Sequence, residues 1–499
     1  MRCSGILMPI SSLPSPYGIG TLGAEARSFV DFLSAAGQAC WQILPICPTS
    51  YGDSPYQSFS SYAGNPYFID LDDLAAEGLL TPGEYRDLDW GDDPTRVDYG
   101  RLYASRYPVL HRAAARLLAA PPGEYPAFCN ANAPWLDDYA LFMALKDKHG
   151  GASWFTWPDG ERLRQPGALS AAQAELADEI QFWKAVQFLF FRQWNALKSY
   201  ANGKGISIIG DLPIYVAGDS ADVWANRPQF QLDENGAPTE VSGCPPDGFS
   251  ADGQLWGNPL FDWEKMKRDG YRWWLDRIAF QLTIYDVLRI DHFRGFDAYY
   301  AIPYGDSTAR NGRWRPGPGI GFFRVVNETF GNPNIIAEDL GFLTDSVRQL
   351  LRDTGYRGMK VLEMAFDSRD PAALDYLPHC YPAHCAAYTG THDNDTILGW
   401  LASAPKEDAE YAKAYLRLNE QEGYHWGVIR SVWASPADLA VIQAQDLLGL
   451  GSETRMNTPS TVGGNWQWRA LSGAFSAGLA RQVRSEMKLY RRLPESESI

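Results

Sequence analysis

The sequence predicts a (β/α)8 barrel, an α/β fold, with mostly helical insertions over its C-terminal face. Three observations predict it. Eight short apolar or β-branched runs each end in polar or glycine punctuation, the mark of buried parallel strands. Helical patterns lie between them, as a closed parallel sheet requires. Several runs end in a carboxylate, at the edge of the fold where barrel enzymes carry their chemistry.

Taken in order, the first run is Ile6–Ile10, followed by a helical pattern over Glu25–Leu33. The second is Trp41–Ile46. Residues 47–205 then exceed what one helix can use, so a helical subdomain is expected there, its clearest helix being the Phe- and Trp-rich Phe182–Lys198. The third run, Ile206–Asp211, leads into residues 216–260, rich in Pro, Gly and Asp and read as a lid-loop region. A helix over Tyr271–Leu282 precedes the fourth run, Val287–Asp291. The fifth, Asn334–Glu338, is followed by a helix over Ser346–Arg352, and the sixth is Met359–Met364. The seventh, Ala386–Thr391, opens a third insertion with helical content, 392–436, and the eighth is Leu439–Gln443. Residues 1–499 thus read as one catalytic domain with no room for an appended β-sandwich. Insertions on the strand-to-helix side wall in the C-terminal face.

Composition narrows the partners. The 44 Lys and Arg against 60 Asp and Glu give a formal charge of −16, which argues against nucleic acid and anionic membranes and suits a neutral ligand. The 18 Trp and 26 Tyr offer flat rings for core packing or for the apolar faces of sugars. Seven scattered cysteines suit reduced thiols. The start, Met1-Arg2-Cys3-Ser4-Gly5, lacks the apolar core of a secretion signal, and no apolar run is long enough to span a bilayer. A cytoplasmic protein, monomeric or weakly self-associating, is the expectation.

The run ends carry the chemistry. In a strand, Val287, Arg289 and Asp291 share one face and Leu288 and Ile290 the other. The Arg289 guanidinium is therefore expected to lower the Asp291 pKa and keep it ionised. If the runs close into a barrel, Asp211, Asp291, Glu338 and Asp393 converge. Mutual repulsion makes such a cluster costly as mere structure, so function is the better reading. Two chemistries use it. A divalent-metal hydrolase would take His292 and His392 as ligands, but its usual His-x-His at the end of the first strand is replaced by Ile10-Ser11-Ser12-Leu13-Pro14. Glycosidic bond chemistry needs an ionised nucleophile, a protonated acid and anionic support for an oxocarbenium-like transition state. Asp291 suits the first role. Glu338 suits the second, with the neighbouring Asp339 expected to help raise its pKa, and Asp393 beside His392 suits the third.

With those residues in view, the chain resembles the amylomaltases, the 4-α-glucanotransferases of glycoside hydrolase family seventy-seven in the α-amylase superfamily. The matching stretches begin with Tyr51-Gly52-Asp53-Ser54-Pro55-Tyr56-Gln57-Ser58, Ile209-Gly210-Asp211-Leu212-Pro213-Ile214 and Pro245-Pro246-Asp247 with Gly253-Gln254-Leu255-Trp256-Gly257-Asn258-Pro259. They continue through Arg289–Gly295, Ala337-Glu338-Asp339-Leu340-Gly341, Tyr388–Asp395 and Gly464-Asn465-Trp466. The resemblance implies Asp291 as nucleophile, Glu338 as general acid/base and Asp393 as transition-state stabiliser, with Arg289, His392 and Asp211 holding the donor sugar. It implies further substrate contacts at Tyr51, Ser54, Tyr56, Gln254, Trp256, His292 and Asn465, and a second glucan site near Tyr56. The implied reaction is disproportionation of maltooligosaccharides, amylose or glycogen-type α-glucans, with cyclisation as a variant and with neither cofactor nor metal. The stretches 161–177 and 298–320 carry no family motif. From the residues alone, a retaining α-glucan hydrolase stays open; transfer demands that water be excluded, and the 243–259 loop with Pro245, Pro246, Phe249 and Trp256 is a candidate lid.

Three other signals carry less. His379-Cys380-Tyr381-Pro382-Ala383-His384-Cys385 is too cramped for a tetrahedral zinc site. Gly317-Pro318-Gly319-Ile320-Gly321 echoes a nucleotide-binding loop but reads as a turn that follows no strand. A glucan-binding protein without catalysis would have no use for a repulsive acid cluster.

Overall fold

Eight short apolar runs pair edge to edge and close on themselves. The computed structural model describes residues 2–246, 251–341 and 343–494, Tyr51 by its backbone alone. In chain order its strands are β1 (Cys3–Leu7), β2 (Cys40–Gln42), β3 (Ser207–Leu212), β4 (Glu240–Cys244), β5 (Gln254–Pro259), β6 (Val287–Ile290), β7 (Ala298–Pro303), β8 (Arg313–Pro316), β9 (Ile335–Ala337), β10 (Arg357–Val361), β11 (Cys385–Tyr388) and β12 (Leu439–Gln443). The closed barrel runs β1-β2-β3-β6-β9-β10-β11-β12, and β12 pairs in parallel back onto β1, Cys3 facing Leu439 and Leu7 facing Gln443. Ile6, Ile208, Leu288, Ile336, Val361, Ala386 and Ile442 are wholly buried, as strands covered on both faces require.

All eight expected strands are present, the first seven with shifted ends and the eighth, Leu439–Gln443, as expected. β1 starts earlier than Ile6–Ile10 because Cys3, Ser4 and Gly5 pair with β12, and it stops earlier because Pro9 has no N–H to continue a ladder and Ile10–Ser12 turns into a short 3-10 helix. β6 stops at Ile290 because His292 adopts a left-handed backbone, φ 48°. The predicted long helix Phe182–Lys198 is the middle of a helix spanning Ala177–Gly203, which feeds β3 and packs against Glu124–Lys148 through pairs such as Tyr139–Trp183 and Tyr125–Phe188. Lys146 fastens this helical layer to the barrel rim: its buried ammonium donates to Asp219 at 2.6 Å and to the carbonyls of Gly151 and Ala152. Among the described residues no helix is long and apolar enough to cross a membrane.

One feature escaped the sequence reading. A four-stranded antiparallel sheet, β5-β4-β7-β8, rises beside β6. The segments 216–260 and 298–320, read as lid loop and as unpatterned chain, supply all four of its strands. Their periodicity is hidden by Gly and Pro. Gly243 is one such case: a Cβ there would sit 2.1 Å from the Gln254 carbonyl oxygen, so the hairpin closes only around a glycine. The Gly317–Gly321 motif is corrected for the same reason, because it does follow a strand, β8, and opens the helix Gly319–Phe330. That strand is an antiparallel one of the small sheet, inserted in the crossover between the parallel barrel strands β6 and β9, so it is not the parallel strand a nucleotide-binding loop follows.

Candidate active site

The site grows from strand register. Asp211 on β3 lies directly opposite Arg289 on β6, so the guanidinium reaches straight across: Nη1 donates to both Asp211 carboxylate oxygens at 2.6 Å. The same nitrogen is 3.2 Å from Asp291 Oδ1. Tyr56 Oη donates to Asp211 Oδ2 at 2.6 Å. Arg289 and Asp211 are both closed off from solvent, whereas the Asp291 side chain keeps 25% exposure, enough to face a ligand.

That arrangement corrects the expectation for Asp291. Burial pushes its carboxyl up to about 6, aided by Asp211 and Asp393, and Arg289 only partly offsets the rise. The reason is geometric, since Arg289 commits its shorter contacts to Asp211. Glu338, one residue past β9, is pushed higher still, to about 8, by burial first and then by the charges of Asp291 and Asp393. Asp339 is not the cause. Its carboxylate turns away to accept the Met359 N–H at 2.6 Å. Glu338 Oε2 instead accepts the backbone N–H of His292 at 2.5 Å, a donor aimed there by the left-handed turn after Asp291.

Asp393 goes the other way. Against the upward push of burial, His392 and the Asn457 amide hold it well below the ordinary carboxylate range. Asn457 Nδ2 donates to Oδ1 at 2.6 Å, His392 Nε2 lies 3.3 Å from Oδ2, and Arg455 donates to the Asp393 carbonyl at 2.6 Å. Three neighbouring carboxyls thus have three different proton affinities, set by partners rather than by residue type.

The remaining expected residues fall into two groups. His392 stacks on Tyr56 with ring centres 5.1 Å apart, and Trp466 closes against both at 5.8 and 5.9 Å. Tyr56 therefore gives one ring face to His392 and its hydroxyl to Asp211. Trp256 stands edge-on to His292 at 4.8 Å, and its indole N–H donates to Gln254 at 3.1 Å. Both Trp256 and Gln254 lie on β5, so the candidate lid is in large part a hairpin, β4 and β5; Phe249 falls outside the described residues. Ser54 accepts the Tyr56 N–H and shapes that loop. Asn465 bonds within its own loop, to Thr458 and Thr461, and it is Asn457 whose amide reaches Asp393. The side chain of Tyr51 lies outside the described part of the structure.

Sequence reasoning missed Arg455, Asn457 and Glu363. The first two sit on chain with neither helical nor strand periodicity, so no pattern marked them. Glu363 had a signal, an acid at the end of the apolar sixth run. The His379–Cys385 cluster disperses: His379 meets Tyr415, His384 meets Asp438 and the Gly355 carbonyl, and Cys385 meets the Pro382 carbonyl. Among the described residues, no group of His, Cys, Asp and Glu is arranged to hold a metal ion.

A (β/α)8 barrel whose C-terminal rim gathers carboxyls of opposed proton affinity, framed by Trp and Tyr, defines a carbohydrate-active enzyme. Comparison with known proteins agrees and goes further. The sequence pattern of the family described as 4-alpha-glucanotransferase matches residues 8–473. The 4-alpha-glucanotransferase of Clostridium butyricum is 48% identical over 97% of this chain and 100% of its own length. That of Thermus thermophilus is 48% identical over 99% of each chain. The amylomaltase of Streptococcus agalactiae, solved in complex with acarbose, superposes with a TM-score of 0.96 at 41% identity, covering 99% of this chain and 100% of its own. The chain belongs to the 4-alpha-glucanotransferase family, and it is a transferase enzyme.

Proposed function

We propose that the enzyme transfers α-1,4-glucan segments between maltooligosaccharides, or to and from amylose- and glycogen-type chains, through a covalent glucosyl–Asp291 intermediate. The observation that carries this is the unequal setting of two neighbouring carboxyls: Asp291 lies 3.2 Å from the Arg289 guanidinium, whereas Glu338 meets the His292 backbone N–H and is pushed further up by burial. At neutral pH the first is ionised and the second protonated, the states a retaining double displacement starts from. Glu338 protonates the departing glycosidic oxygen while Asp291 attacks the anomeric carbon. Asp393, held ionised by His392 and Asn457, stabilises the oxocarbenium-like charge. The incoming 4-hydroxyl of an acceptor glucan then loses its proton to the Glu338 carboxylate and displaces Asp291, and the acid returns to its starting state.

Arg289, Asp211 and His392 are the residues that hold the donor sugar in this reading, with Tyr56 buttressing Asp211 and His392 from behind. Gln254, Trp256 and His292 form a second wall on which the acceptor side rests. That the Streptococcus agalactiae relative was solved in complex with acarbose supports an α-glucan-type ligand for this chain. A chain long enough to fold back presents its own end as acceptor, which gives cyclisation. The test is incubation with maltotriose and separation of the products. Glucose together with a ladder of longer maltodextrins is expected. Steadily rising reducing ends with only shorter sugars would make it a hydrolase.

A further inference from the structure

Glu363 follows β10 on the same rim as the carboxyls above, and the reaction just described leaves it without a task. Its backbone N–H donates to the Thr389 carbonyl at 3.2 Å, tying the ends of β10 and β11 together. Its Oε1 accepts the Asn394 amide N–H at 3.2 Å, while Oε2 is buried with no hydrogen-bond partner among the described residues. Asn394 faces the other way with its carbonyl. That oxygen accepts both the backbone N–H and the hydroxyl of Thr391 at 2.9 Å, and the Thr391 hydroxyl oxygen in turn accepts the Asp393 N–H at 3.3 Å. One amide thus links the sixth strand end to the turn that presents Asp393. The turn is packed without slack, since a Cβ on Gly390 would meet the Asn394 Cβ at 3.2 Å and the Gln443 amide at 2.4 Å.

We propose that Glu363 is a positioning residue for Asp393, clamping the Asn394 side chain so that the Thr391–Asn394 turn holds Asp393 at a fixed place against the donor sugar. This rests on the reading of Asp393 as the group that stabilises the developing cation. The clamp is uncharged at neutral pH. Burial, then Asp446 and Asp395, push Glu363 up to about 8 against the Asn394 amide and Arg455. The charged groups facing it are Arg455 from the chain after β12, Asp446 from the turn at the end of β12, and Asp395 from the loop of Asp393 itself. A neutral acid still accepts the Asn394 amide N–H through its carbonyl oxygen and adds no further anion beside Asp393. Displacement of a reacting group by about 1 Å costs on the order of a hundredfold, so the clamp acts on turnover and not on sugar affinity.

Steady-state kinetics on maltotriose with four variants test it. Glu363→Ala and Asn394→Ala are each expected to lower kcat about 10- to 100-fold with KM changed less than about twofold. The double variant should lose no more than either alone, because both break one link. Glu363→Gln should keep at least about half of kcat, since its carbonyl replaces Oε1 and no charge is needed. A Gln variant as slow as Ala overturns the clamp in favour of acid chemistry by Glu363 itself. Additive losses, or a normal kcat in Asn394→Ala, overturn it outright. Asn394→Ala leaves the strand end intact and keeps the test alive should Glu363→Ala fold poorly. Asp393→Asn is the reference. If it retains normal kcat, the reading of Asp393 fails; if it is inactive while the Glu363 and Asn394 variants are normal, only the clamp fails.

Discussion

The two ends of the barrel treat buried charge in opposite ways. At the N-terminal end, Arg492 is wholly buried and donates to the carbonyls of Trp433, Cys3, Ser435 and Ala437, joining β1 to the chain that enters β12. Arg2 reinforces the seam through the carbonyls of Trp433, Ser435 and Tyr490. At the C-terminal rim, Asp211, Asp291, Glu338, Glu363 and Asp393 crowd together, and burial lifts Asp291, Glu338 and Glu363 toward their neutral forms. The first end uses its charge to close the fold. The second keeps charges that cost stability, because proton affinities near neutrality are what acid–base chemistry requires. Substitutions should therefore separate activity from stability according to which end they fall on.

The largest effect is expected at Asp291. Asp291→Asn keeps the shape and removes the nucleophile, so kcat on maltotriose should fall about 10⁴-fold or more while maltodextrin still binds. The same change relieves repulsion with Asp211 and Asp393, so urea unfolding should show stability unchanged or raised by about 1 kcal/mol. Near-normal turnover would remove Asp291 from the nucleophile role. Lost turnover with lost stability would break the contrast between the two ends.

The pH profile is next. The Asp291 pKa is raised in the folded protein, and the reaction needs its ionised form, so activity is lost as pH falls through about 6. Glu338 is raised to about 8 and is needed protonated, so activity is lost as pH rises through about 8. The expected kcat/KM profile is a bell around neutrality, each limb falling about tenfold per pH unit. Glu363 is lifted to a similar value, and Glu363→Gln tells the two apart. An alkaline limb that survives in that variant belongs to Glu338. One that disappears belongs to Glu363.

The barrel was legible because each buried strand is a short apolar run that ends in punctuation, and β12 was placed at Leu439–Gln443 to the residue. The rim carboxyls were legible because a charge at the end of an apolar run is conspicuous. Their proton affinities were not. Arg289 beside Asp291 suggested a lowered pKa, yet burial outweighs it, and the guanidinium gives its shorter contacts to a cross-strand partner, Asp211, 78 residues away from it in the chain. Asn457 and Arg455 were invisible for a related reason: they reach Asp393 from irregular chain, where no period marks a side chain's direction. The small antiparallel sheet was hidden by its own Gly and Pro, the residues that let its strands turn over the site.

Arg492 gives the smallest effect on rate and the most direct test of the opposite end. Among the described residues no carboxylate is in hydrogen-bonding contact with its buried guanidinium; carbonyl oxygens take that place, and burial holds its pKa down to about 10, still charged at neutral pH. Arg492→Ala would take a donor from the carbonyls of Cys3 and Ala437 and leave those of Trp433 and Ser435 to Arg2 alone, beside a cavity at the barrel seam. Stability in urea should fall by about 3 kcal/mol, a typical cost for a lost buried hydrogen-bonding network. Below the unfolding transition, kcat and KM on maltotriose should stay within about twofold of the parent, because the barrel's length separates the seam from the rim. A large drop in kcat without loss of stability would mean that the two ends are coupled through the strands, and that closure of β1 on β12 sets the geometry of the acids as well as the strength of the fold.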